Sequence, residues 1–336
     1  MLTINRGGII LETTKAPFEN HGVLNPAVIV KDGLIHLFYR AVGNDFISSI
    51  GYCQLDTPFH VHQRNETALL KPLHHYEQMG VEDPRIVEID KLFYLSYTAY
   101  DGVNALCALM RGENFENFQR LGIIAPLIPL QEPFWTEDIP VTISLNSPTP
   151  LEKSPFFIWD KNLVFFPRRI NGALCFFHRI KPNISIVFVN EIRELTPVFW
   201  VNYLGQGSLN DLTCPSMINA HSSYVGAGCP PIEIPEGWLF IYHAAYEGEK
   251  IPTYKVHILL LAIDNPLHVL AELPYPILAP DEPYEKNGNV NHVVFPTGAF
   301  IREDNLYFYY GAADKCIACA YFSVSQLLHE FTYLPN

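Results

Sequence analysis

One aromatic phrase recurs five times along this chain, as Leu34–Arg40 (LIHLFYR), Leu92–Thr98 (LFYLSYT), Ala173–Arg179 (ALCFFHR), Trp238–Ala244 (WLFIYHA) and Leu306–Ala312 (LYFYYGA). The intervals are 58, 81, 65 and 68 residues. A turn signal precedes each copy: Asp32-Gly33, Asp90-Lys91, Asn171-Gly172, Glu236-Gly237 and Asp304-Asn305. Ahead of each turn stands an apolar stretch that begins near a proline, at Asn25-Pro26, Asp83-Pro84, Phe166-Pro167, Pro230-Pro231 and Phe295-Pro296. Strand, tight turn and aromatic strand make a β-hairpin. Windows with helical periodicity are scarce, so the chain reads as all-β. Five hairpins at comparable spacing predict a five-bladed β-propeller, in which radial repetition protects the sheet edges. A β-sandwich with unrelated aromatic strands is the competing arrangement.

Of the 336 residues 49% are hydrophobic and 17% charged, which supports a sizeable core and excludes wholesale disorder. The formal charge of −13 argues against nucleic acid as a partner, because phosphate backbones demand basic stripes. A small anion remains open to it, since a few local cations outweigh net charge at short range. The longest apolar run, Ile258 to Ile263, falls far short of the roughly 20 residues that span a bilayer. No signal-peptide pattern opens the chain, and the seven scattered cysteines read as reduced thiols, so a cytoplasmic protein is expected. One domain covering 1–336 is predicted, with a Pro-rich excursion at about 123–155. Ser323 and Gln326 carry capping-box spacing for a short C-terminal helix, although an outermost strand fits the same residues.

Chemistry enters at the residues before the prolines. Asn25, Phe166, Pro230 and Phe295 exchange no proton; Asp83, in Gly80-Val-Glu-Asp-Pro-Arg85, does. Inverting glycoside hydrolysis uses two carboxylates, whereas phosphate needs no base because it arrives as an anion. Lys161, Asn162, Arg179 and His243 together form a candidate phosphate cradle. Each also has an ordinary reading as a turn residue or ion-pair partner, just as Asp83 has one as an Asx turn. Cys316-Ile-Ala-Cys319, His60-Val-His62 and His74-His75 lack a second ligand pair, so no metal or cofactor is expected.

These phrases resemble glycoside hydrolase family 130, the mannoside phosphorylases and related β-mannosidases. The likeness runs through Asn25-Pro-Ala27, Gly80–Arg85, Lys161–Pro167, His178-Arg179, Gly226–Ile232, Gly237–His243, Asn291–Pro296 and Tyr309–Asp314. It implies that Asp83 is the general acid, protonating the glycosidic oxygen through the 3-hydroxyl of the mannosyl unit. It implies phosphate ligands at Lys161, Asn162, Arg179 and His243, and sugar contacts at Asn44, Asp45, Arg85 and Asp314. The expected reaction is inverting phosphorolysis of a β-mannoside to α-mannose 1-phosphate, with inorganic phosphate as co-substrate. Many phosphorylases carry a lysine where Tyr224 stands, which leaves either weaker phosphate binding or a drift toward hydrolysis. In the hydrolytic alternative, an inverting β-mannosidase, Glu233 and Glu247 are the candidate bases. A non-catalytic glycan-binding propeller is the remaining rival, and homo-oligomerisation is left open.

Overall fold

The computed structural model describes residues 1–129, 156–213, 222–246 and 252–335. The chain is all-β with a few short helices, built as five successive antiparallel meanders. The first comprises Gly22–Lys31, Leu34–Val42, Ser48–Thr57 and His60–Arg64; the second Gly80–Ile89, Leu92–Tyr100, Ala105–Gly112 and Gln119–Ile123. The third runs Lys161–Phe165, Leu174–Arg179 and Ser185–Val189. Ser222–Ala227, Gly237–Tyr246, Thr253–Leu261 and Val269–Glu272 form the fourth, and Val294–Arg302, Asn305–Ala312 and Cys316–Ser323 the fifth. Asn5–Leu11 pairs with Cys316–Ser323, so the start of the chain supplies the outer strand of the last meander. Hydrogen bonding groups these into four sheets, because a single parallel pair, Ser48 with Gly80, joins the first meander to the second. None of the sheets closes on itself.

Every recurring phrase occupies the second strand of its meander, and the reason is burial on both faces. Leu37 and Tyr39 pack toward the fifth meander while Phe38, pointing the other way, packs toward the second. Trp238, Phe240 and Tyr242 likewise face the third meander, and Leu239 and Ile241 face the fifth. Side chains alternate along a strand, so a strand covered on both sides must be apolar throughout. Five such clusters separate first from second, second from third, third from fourth, fourth from fifth, and fifth from first. The packing order is therefore cyclic.

Hairpin register corrects two details of the expected repeat. The first three two-residue turns are as expected, with positive φ at Asp32-Gly33, Asp90-Lys91 and Asn171-Gly172. In the fourth and fifth, the pairs Ile234–Gly237 and Arg302–Asn305 place the turns one residue earlier, at Pro235-Glu236 and Glu303-Asp304. The aromatic strands, counted from the turns, thus begin at Leu34, Leu92, Ala173, Gly237 and Asn305.

Val324–Glu330 is helical, and Ser323 Oγ accepts from Gln326 N at 3.0 Å. An unanticipated helix, Pro197–Leu204, starts on Thr196, whose side chain accepts from Phe199 N, with Pro197 in the first turn. None of the described helices is long and apolar enough to cross a membrane. The six described cysteines are free and buried. Cys316 and Cys319, three residues apart on one strand, enter different core clusters, so their thiols point to opposite faces. Of the excursion expected at 123–155, residues from 130 onward lie outside the described residues, as do Cys214 and Glu247.

Candidate active site

The corrected register lines up one rung across the five meanders. The seventh residue of each aromatic strand is Arg40, Thr98, Arg179, His243 or Gly311. Opposite them on the first strands sit Leu24, Glu82, Lys161, Gly226 and Phe295. In the first three meanders the next residue lies in a bulge with positive φ: Asn25 (50°), Asp83 (49°) and Asn162 (59°). Asn and Asp tolerate this left-handed backbone better than other side-chain-bearing residues. The third equivalent of Asn25 and Asp83 is therefore Asn162 and not Phe166, which lies past the end of its strand beside Pro167.

Asp83 is tightly wired. Asn25 Nδ2 donates to its Oδ1 at 2.8 Å, and Arg40 Nη1 lies 3.4 Å from the same oxygen. Arg40 also donates to Glu82 Oε1 at 2.7 Å and to Ser48 Oγ at 2.9 Å. Burial pushes the Asp83 pKa up, but Arg40, Lys161 and Arg85 outweigh it and hold the carboxyl below its ordinary range. Asp314, on the turn after Asn305–Ala312, goes the other way. Burial, reinforced by Asp83 and Glu82 and opposed by Arg40, raises it to about 6. The two carboxylates that share Arg40 are thus pushed apart in acidity.

His243 and Asn162 meet at Gly226. A methyl group there would stand 2.4 Å from His243 Nε2 and 2.5 Å from Asn162 Nδ2, so only glycine lets both side chains close on this point. Burial, with Arg179 and Arg85 nearby, holds His243 well below its ordinary pKa and hence neutral. Its Nδ1 and the Nε of Arg179 are buried with no partner among the described residues. Buried polar atoms are nearly always paired, so these two mark a place where a ligand completes the hydrogen bonding.

The remaining expected residues fall into different places. Tyr224 is present at the cradle, but its hydroxyl is bonded to that of Tyr254, and its ring is used as a platform. Arg179 lies 5.1 Å and Lys181 4.1 Å from the ring centroid, so a position without charge gathers two cations. Arg85 uses Nε and Nη1 on backbone, to Gly228 O at 2.5 Å and to the carbonyls of Asp83 and Pro84, and clamps the second meander to the fourth, while its buried Nη2 has no partner among the described residues. Asn44 and Asp45 stand on an exposed turn with local bonds, Asn44 N to Asn20 Oδ1 and Ile47 N to Asp45 Oδ1. Glu233, a candidate base, is instead bonded through both oxygens to Arg168 at the hairpin-turn end. Its partner Trp238 precedes His243 by five residues, about 17 Å along the strand.

Sequence reasoning passed over Arg40 and Lys181. Arg40 closes its aromatic phrase as Arg179 closes the third, and that parallel was the available signal. Lys181 follows Arg179 by two residues, and nothing in the pattern distinguishes it from a solvated lysine.

Comparison with known proteins identifies the family. A model of glycoside hydrolase family 130, described as beta-1,4-mannooligosaccharide phosphorylase, matches residues 9–332. The 1,2-beta-oligomannan phosphorylase of Thermoanaerobacter sp. (strain X514) is 29% identical over 339 residues, covering 95% of this chain and 96% of the relative. The beta-1,2-mannobiose phosphorylase of the same organism is 30% identical over 319 residues, 90% of each chain. The solved structure of beta-1,2-mannobiose phosphorylase from Listeria innocua, in complex with beta-1,2-mannobiose, is similar with a TM-score of 0.74. It is 23% identical and the match covers 98% of this chain and 99% of that one, a likeness of fold. With a model match from residue 9 to residue 332, the chain belongs to glycoside hydrolase family 130.

Proposed function

We propose that this protein is an inverting β-mannoside phosphorylase, with Asp83 as general acid and inorganic phosphate as co-substrate, held by Lys161, Asn162, Arg179 and His243. One observation carries the reading: buried nitrogens of Arg179 and His243 without a partner among the described residues, with Asn162 packed on the same glycine as His243, in one rung with Asp83. Phosphate attacks the anomeric carbon as the glycosidic bond breaks, and the departing oxygen takes the Asp83 proton. Inversion gives α-mannose 1-phosphate. Both curated relatives named above are phosphorylases of β-1,2-linked mannosides, which favours that linkage here.

The lowered acidity range of Asp83 fits such a cycle. Lys161 helps keep the carboxyl ionised. A phosphate dianion beside Lys161 and Arg179 offsets their field and raises the Asp83 pKa, so the acid gains its proton when the nucleophile is in place. Tyr224 adds no charge, and Lys181 on its ring supplies the missing cation. The cyclic order of the five core clusters supports a single five-bladed propeller with this rung around its channel. Free, buried thiols support a cytoplasmic location.

The test is incubation with β-1,2- and β-1,4-linked manno-oligosaccharides, with and without phosphate, assaying mannose and mannose 1-phosphate. Phosphate-dependent mannose 1-phosphate is expected. Free mannose formed equally well without phosphate would make the protein a hydrolase.

A further inference from the structure

Four meanders share a device next to the rung that the chemistry above does not use. The sixth residue of the aromatic strand is fastened to a buried carboxylate that arrives on the chain ahead of the first strand. In the first meander Glu19 Oε2 accepts from Tyr39 Oη at 2.8 Å and from Arg64 Nη2 at 2.7 Å. In the second Glu77 Oε1 accepts from Tyr97 Oη at 2.5 Å and Arg120 Nε at 3.0 Å. In the fifth Glu285 Oε1 accepts from Tyr310 Oη at 2.8 Å and Arg6 Nε at 3.0 Å. The third meander changes the parts: Asp160 accepts from His178 Nδ1 at 3.0 Å, and His178 Nε2 lies 3.1 Å from Tyr203 Oη. All four carboxylates are at most 1% exposed. The chain ahead of the fourth meander includes residues 214–221, outside the described residues.

The spacing repeats as well as the contacts. Glu19-x-x-Gly22-Val23-x-Asn25-Pro26 matches Glu77-x-x-Gly80-Val81-x-Asp83-Pro84, so carboxylate and bulge residue are six apart in both. Burying an ion pair gains little over well-packed apolar residues of equal volume, so stability alone gives no reason to install this device repeatedly. Geometry does. Alternation along the strand puts the sixth ring between meanders and the seventh side chain on the rung, so fixing the ring fixes where the next side chain points.

We infer that two of these clasps are positioning devices that aim the rung residue after them: Glu19 aims Arg40 at Asp83, and Asp160 with His178 and Tyr203 aims Arg179 at the phosphate. Asp160 also directly precedes Lys161 and Asn162, so it braces the cradle from both strands. In the fifth meander the seventh residue is Gly311, which has no side chain to aim, and the Glu285 clasp serves as the internal control.

The phosphate readout rests on the phosphorylase reading. Asp160→Asn is expected to raise KM for phosphate about tenfold and leave KM for the glycoside within twofold, the scale of effect of a slightly misplaced binding group. Tyr203→Phe, which deletes only the outer hydroxyl, is expected to raise it about threefold and covers the case in which Asp160→Asn does not fold. Glu285→Gln should lower Tm and leave KM for phosphate unchanged. Glu19→Gln should lower kcat with KM for phosphate within twofold. The inference is overturned if Tyr203→Phe and any folded Asp160→Asn leave KM for phosphate unchanged, or if Glu285→Gln moves it as much at an equal loss of Tm. Should the wild-type enzyme turn over without phosphate, phosphorolysis alone fails. The clasps are then read on Glu19→Gln, which must lower kcat without moving the glycoside KM.

Discussion

The two halves of the rung are built on opposite principles. Around Asp83 one carboxylate oxygen is held before any ligand arrives: Asn25 and Arg40 reach Oδ1, and Arg40 is held by Glu82 and Ser48. On the other side His243 Nδ1 and Arg179 Nε are buried without a partner among the described residues. In the proposed reaction the first corner presents one proton and the second receives an anion. Such pre-formed donors cost little reorganisation when charge arrives, which is how binding sites for oxyanions gain strength.

The comparison breaks most sharply at Asp83. Asp83→Asn removes the proton donor and keeps the shape, so kcat on natural oligosaccharides should fall by about a hundredfold to ten-thousandfold. An aryl β-mannoside with a very acidic phenol needs no proton on its leaving oxygen, and its turnover should fall far less. Equal loss on both substrates would remove Asp83 from the acid role.

On the other side the sharpest lesion is Gly226→Ala. The added methyl collides with His243 and Asn162 together, and both must withdraw. KM for phosphate should rise by up to about a hundredfold, since displacements near 1 Å have that effect, while the acid corner is untouched. An unchanged KM would show that these two side chains do not form the phosphate site.

Arg40, within the acid corner, gives a smaller, more diagnostic effect. Arg40→Met takes away the first of the cations that hold the Asp83 pKa down. The acid must be protonated to act, so activity falls as pH rises through its pKa, and raising that pKa moves the alkaline limb upward. A shift of about one unit is expected in the pH profile of kcat. A limb that stays in place would mean that another group sets it.

The hairpins were legible because aromatic strands buried on both faces must be apolar in every position, and short turns need residues such as Asp32-Gly33 that accept positive φ. Asp83 was legible from chemistry, as the proton-bearing residue in its set. Prolines misled the alignment of the third meander, because the bulge is a property of the backbone at Asn25, Asp83 and Asn162, and Leu163 follows the last of these with no proline. Arg40 was hidden for the same reason. Without strand register, a sequence does not say which residues of five hairpins share a rung. The helix Pro197–Leu204 did carry its signal in Thr196-Pro197, overshadowed by the β repeat around it.

Asp314 offers the finest test, because its effect is thermodynamic. Its carboxyl titrates at about 6 in the folded protein against an ordinary value of 3.8, because it is buried near Asp83 and Glu82. A raised folded pKa means that stability is fully present below pH 4 and is lost as pH rises through 6. Above that range the native state carries a charge it disfavours. Asp314→Asn removes this penalty, so the variant should be more stable than wild type by up to about 3 kcal/mol at pH 7.5 and equal to it at pH 3.5. Denaturant unfolding at the two pH values measures the difference. If Asp314 is held at this cost for the sugar, the same variant should bind the glycoside less well while KM for phosphate stays put. A stabilised variant with unchanged glycoside binding would leave the strained carboxylate without that role and shift the sugar contacts toward the Asp83 side of the rung.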